Sequence, residues 1–181
     1  MTGRPASRRT LARVAVAATA LLTVVLPVAA ATAADPTPPQ ALFRTTLLQD
    51  PGTTEAVKRL LRSGGGFVDA RMQFADFTGD GRADAVAIVR TPGASGAVAL
   101  YVFSTEGPRA GQSGELRAVY RSQNLYRAFV LVRSPTLVVR TPIFAAGQDL
   151  CCATKLLERD YRWDARRRAF VRTDLREIEL S

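Results

Sequence analysis

The chain has 181 residues, enough for one ordinary domain. At 47% hydrophobic and 23% charged it carries the apolar mass for a core and is excluded from the disordered class. It contains no histidine, which excludes Ser-His and Cys-His catalysis and any histidine-ligated metal; its net charge is +9.

The first 34 residues read as a secretory signal peptide. "MTGRPASRRTLAR" is basic and free of acids, "VAVAATALLTVVL" is apolar, and small residues follow Pro27 up to "AATAA". Cleavage is expected after Ala33 or Ala34. The pair Arg8-Arg9 also fits a twin-arginine export signal, beside the general secretion route. Removing this segment takes away four arginines, so 21 basic residues face 16 acidic ones and the net charge falls to +5. That is a mildly basic exported domain, compatible with anionic envelope polymers and with no need of nucleic acid. An alanine, arginine and valine bias with only two lysines points to a high-GC bacterial composition.

Residues 35–41 ("DPTPPQA") read as a flexible linker, and residues 42–181 as a single globular domain. One amphipathic helix is predicted in "PGTTEAVKRLLRSGGGF". Thr53 or Thr54 caps it, and Ala56, Val57, Leu60 and Leu61 share a face. Gly64 to Gly66 end it. No second helix is predicted.

The remainder reads as strands. "FVDARMQFADF" alternates around Phe67, Met72 and Phe74, while "DAVAIVRT" and "GAVALYVFST" are apolar on both faces, as buried central strands are. "ELRAVYRS", "YRAFVLVRS", "TLVVRTPIF", "ATKLLERDYRW" and "RAFVRTDL" follow, with short connections. The expected fold is α+β: one N-terminal helix packed on a curved antiparallel meander of about six to eight strands.

"DFTGDGRAD" is the most chemically pointed stretch. Asp76, Thr78, Asp80, Arg82 and Asp84 alternate, with Gly81 after the third. Hard cations take six to eight oxygens, and such a loop can supply several if alternate residues turn inward, Arg82 through its carbonyl. The twelfth position, Ala87, excludes an EF-hand. The run resembles the calcium loops of FG-GAP and VCBS-type repeats. The resemblance covers the loop and the strand behind it, and implies structural calcium held by these five residues. Its propeller fold is not implied, since the chain has one copy and is too short for blades. Read from the residues alone, a metal-free turn is the alternative, because Asp-Gly favours hairpin turns and aspartates bond turn amides.

Cys151 and Cys152 are neighbours and the chain's only cysteines. In an oxidising compartment a strained intrachain disulfide is expected; free thiols or bonds to a second chain are the alternatives. "YRWDARRRAFVR" interleaves Tyr161, Trp163 and Phe170 with five arginines, read as core aromatics beside a solvated basic face.

No nucleophile elbow, phosphate loop or zinc motif is present, and no enzyme is expected. The expected role is a secreted, non-catalytic envelope or extracellular domain. Its partner would be an unknown envelope component or extracellular polymer, with no nucleic acid and no stable membrane insertion after signal removal. A secreted inhibitor or assembly partner presenting the loop Gly107–Gly114 is the alternative of a different class, and a metal-free structural domain is another.

Overall fold

The computed structural model describes residues 37–93, 96–104, 116–150 and 152–180. Among the described residues two helices precede an eight-stranded open sheet, an α+β architecture. Helix α1 spans Pro38–Gln49 and helix α2 spans Glu55–Ser63.

Helix α1 corrects two expectations. Residues 38–41, expected in a flexible linker, form its first turn, and a second helix therefore stands before the predicted one. Pro38 suits the first helical position, where a missing N–H costs nothing. Gln40 Oε1 reaches back to accept the Thr37 N–H at 2.8 Å. Phe43 and Leu47, four positions apart, are buried together. Such burial contributes on the order of 1.5–3 kcal/mol per side chain, which outweighs the weak intrinsic pattern of a short helix. Helix α2 follows the sequence closely. Thr54 is its N-cap, Val57 and Leu61 are buried, and Gly64 closes it in the left-handed region at φ 73°.

The strands are β1 (Phe67–Val68), β2 (Gln73–Ala75), β3 (Asp84–Arg90), β4 (Ala97–Ser104), β5 (Arg117–Arg133), β6 (Thr136–Ile143), β7 (Lys155–Asp164) and β8 (Ala169–Glu179). All pairings are antiparallel, in the order β1-β3-β4-β5-β6-β7-β8, and β2 also pairs with β3. Two expected strands, "ELRAVYRS" and "YRAFVLVRS", are one element, β5. Its first half pairs with β4 and its second with β6. Between the halves, Asn124 and Arg127 take positive φ.

That bend explains the unbroken apolar runs of β3 and β4. Ala85, Ala87, Val89, Tyr101 and Phe103 share one buried cluster with Phe43, Leu47, Val57 and Leu61 of the helices. Val86, Ile88, Leu100 and Val102 point the other way, into a second cluster with Leu137 and Val139 of β6. Tyr161 of β7 and Phe170 of β8 pack against that second cluster. Both faces of β3 and β4 are thus dry. Phe67 and Phe74, predicted on the alternating face, are exposed; Val68 between them is the buried residue. Among the described residues no helix is long and apolar enough to cross a membrane.

Candidate functional site

The acidic loop joins β2 to β3. Its five predicted residues lie within one turn, but they divide their bonds rather than meeting at a point. Asp84 is buried at the start of β3, and its Oδ2 accepts the N–H groups of Phe77 and Thr78, both at 2.9 Å. Thr78 Oγ1 donates to Asp84 Oδ1 at 3.4 Å. Asp76 accepts the Gly79 N–H at 2.7 Å through Oδ1 and the Gly81 N–H at 3.0 Å through Oδ2. Asp80 Oδ1 accepts the Arg82 N–H at 2.8 Å. Gly79 and Gly81 sit at φ 76° and 79°, the left-handed region the turn requires.

Among the described residues no three acids or cysteines are grouped closely enough to hold a metal ion. Each of the three carboxylates instead accepts at least one backbone amide of the loop. What the loop does hold is Phe77. Its amide is tied to Asp84, its ring is buried, and that ring meets Phe170 of β8 edge-on at 5.7 Å. Phe170 in turn contacts Tyr120 of β5 at 5.3 Å and Trp163 of β7 at 5.6 Å. The carboxylates thus fix one aromatic that joins the two ends of the sheet.

The aromatics of the C-terminal hairpin face this cluster. Arg166, Arg167 and Arg168 occupy the exposed turn between β7 and β8. Gln148 Nε2 donates to the Cys152 carbonyl. Cys151, and with it the expected Cys151–Cys152 bond, lies outside the described residues, as does the loop Gly107–Gly114.

Three arrangements escaped the sequence reading. The first is a charged row across β6, β7 and β8. Glu158 is buried and pairs in register with Arg140 on one side and Arg176 on the other, and both guanidiniums bond its carboxylate. Burial pushes the Glu158 carboxyl up, but Arg140 and Arg176 outweigh it and hold the group below its ordinary value. The second is a polar staple behind the helices. Gln123 of β5 accepts the Thr54 N–H at 2.7 Å and the Tyr101 hydroxyl at 2.9 Å, and donates to the Gly52 carbonyl at 2.9 Å. Burial pushes the Tyr101 hydroxyl up to about 12.

The third is a cleft of about 280 Å³ at the bend of β5. Val139 and Leu125 floor it, continuous with the second core cluster. Ser122, Asn124, Thr141 and Arg159 supply polar groups, and Tyr126 and Tyr161 the rings. Tyr126 is half exposed, its ring set edge-on to Phe144 at 5.9 Å. These residues come from β5, β6 and β7, and only strand pairing brings them together, so no local spacing announces them.

In comparison with known proteins, the chain matches no family model, no curated protein and no solved structure.

Proposed function

We propose that this chain is a secreted, non-catalytic domain of the cell envelope or extracellular space that binds an envelope component in the cleft at the bend of β5. The observation that carries this reading is the cleft: a concave, apolar-floored space rimmed by four polar side chains and two tyrosines, set on paired strands. Apolar pockets with a few convergent polar groups on a rigid scaffold are where small ligands bind. Export is supported by the basic, apolar and small-residue order of residues 1–34. A net charge of +5 after export favours an anionic envelope partner over a cationic one.

On this reading the acidic loop serves the fold, as a clasp that seats Phe77. The amide bonds of Asp76 and Asp84 support a clasp that works without metal. Structural calcium, the implication of the FG-GAP and VCBS resemblance, would need the remaining lone pairs of these carboxylates to converge on one ion.

Sedimentation with isolated bacterial envelopes tests the reading. The chain is expected in the envelope pellet, and Tyr126→Ala in the supernatant. A wild-type chain that stays soluble at every envelope concentration would remove the binding role.

A further inference from the structure

Resting on that binding reading, we propose that the cleft takes a single anion-bearing sugar unit, its carboxylate or phosphate on Arg159 and its ring against Tyr126. Charge is the first argument. Arg159 is half-buried in the cleft wall, and its side-chain hydrogen-bond partner among the described residues is a neutral one, Thr141 Oγ1 at 2.8 Å. A guanidinium offers five donors in a planar fork that matches a carboxylate or phosphate. By contrast, Arg140 of β6 and Arg176 of β8 both bond Glu158; Arg162 of β7 also bonds a neutral group, Thr136 Oγ1, but does not line the cleft. Among the described residues no carboxylate forms an ion pair with Arg159. A half-buried cation without an acid partner retains the capacity to bind an outside anion.

Shape is the second argument. The volume of about 280 Å³ sits near the lower end for ligand pockets, the size of one ring rather than of a peptide. Tyr126 gives an apolar face with a polar tip, suited to a ring that carries both C–H and hydroxyl groups. Ser122, Asn124 and Thr141 add short donors and acceptors around that ring.

Backbone strain is the third and independent argument. Asn124 and Arg127 hold φ of 67° and 50°, values that side chains other than glycine adopt at a cost. They bracket Leu125 and Tyr126, and the ladder to β4 skips this stretch, passing from Gln123 to Ala128. The detour costs free energy and leaves Tyr126 half exposed beside Arg159.

Calorimetric titration of the full chain with glucuronate, glucose 6-phosphate and glucose tests this. At least one charged sugar is expected to bind about ten-fold or more tightly than glucose, and the better of the two names the anion. Arg159→Gln should erase that preference, and Tyr126→Ala, at a half-exposed position, should weaken all three. Equal binding of charged and neutral sugars, a preference that survives Arg159→Gln, or full affinity in Tyr126→Ala overturns the assignment. Envelope sedimentation of the same variants separates the two readings. Pelleting unchanged by Arg159→Gln and Tyr126→Ala sinks this cleft while leaving envelope binding intact. Sugar binding through Arg159 without pelleting supports the cleft and removes the envelope.

Discussion

Asp50, at the end of α1, and Arg121, in β5, stand 71 positions apart and meet in a two-pronged bond, with Nε to Oδ2 at 2.9 Å and Nη2 to Oδ1 at 2.8 Å. The Asp50 side chain is 11% exposed. With Gln123 two residues on, this bond fastens the turn between the helices to the strand that later bends around the cleft. Arg121 holds the Asp50 carboxyl below its ordinary value of 3.8, against the opposing effect of burial.

A depressed native value means the folded state resists protonation more than the unfolded one. The stability from Asp50 is therefore complete above about 3.8 and is lost as pH falls through its lower native value. Glu158 behaves likewise from an ordinary value of 4.5. Melting midpoints should hold steady from neutral pH to about pH 5 and fall below about 4.5. Asp50→Asn should start about 1–2 kcal/mol less stable and show a shallower acid slope. An identical slope in the variant would refute a role for the bond in acid stability.

Asp84→Ala leaves the Phe77 and Thr78 amides without their acceptor in a buried place, and should cost about 2–3 kcal/mol. Asp80→Ala, on the exposed side of the turn, should cost about 0.5 kcal/mol. Trp163 is the only tryptophan and contacts Phe170, which contacts Phe77. Its emission should shift to the red in Asp84→Ala and stay in place in Asp80→Ala. Urea titration followed by that emission reads both effects at once.

Gly96 is set at φ 126°, and a Cβ there would lie 2.5 Å from Arg127 Cα and 2.4 Å from its carbonyl carbon. The turn into β4 presses directly on the bend of β5. Gly96→Ala should cost at least about 3 kcal/mol, through both the φ value and the backbone clash. Gly93→Ala, with open space around it, should cost about 1–2 kcal/mol from φ alone. Similar losses in chemical denaturation would show that the close approach at Gly96 is not constraining.

Glu158→Gln removes the charge that faces Arg140 and Arg176 across neighbouring strands. A loss of about 2 kcal/mol is expected, since charge-assisted bonds to a buried carboxylate are broken. Most of that loss should persist in high salt, because the carboxylate is only 1% exposed. Denaturant midpoints of both proteins at low and high salt check this.

The metal-free clasp predicts that calcium at millimolar concentration, followed by a chelator, moves the melting midpoint by less than about 1 °C. A rise of several degrees with calcium, reversed by chelator and absent in Asp76→Ala, would restore the metal reading. Repeating the melt with a reductant tests Cys151–Cys152 in the same way: a strained bond between neighbours closes almost no chain, so only a small shift is expected.

Some of this was legible in residue order. Helix α2 was, because Thr54, the Val57–Leu61 face and Gly64 each act within a turn of one another. The dry strands β3 and β4 were, because a strand covered on both sides has no polar alternation left. The acidic loop was placed correctly between two strands, and its turn glycines were visible. Helix α1 was missed because Asp35, Pro36, Pro38 and Pro39 look like linker, while its buried apolar face is small, Phe43 and Leu47 with Leu48 packed beside them. The continuity of β5 was missed because Asn124 reads as a break, and only its pairing with β4 before the bend and β6 after it shows one strand.

Local order determined helix α2, the dry runs of β3 and β4 and the turn of the acidic loop, because those depend on neighbours within a few residues. Tertiary structure alone decided where the aspartate oxygens point, that Glu158 lies between two arginines, and that Tyr126, Thr141 and Arg159 share a cleft. Those facts depend on strand register and on the bend of β5, which bring together residues from three strands that no sequence spacing relates.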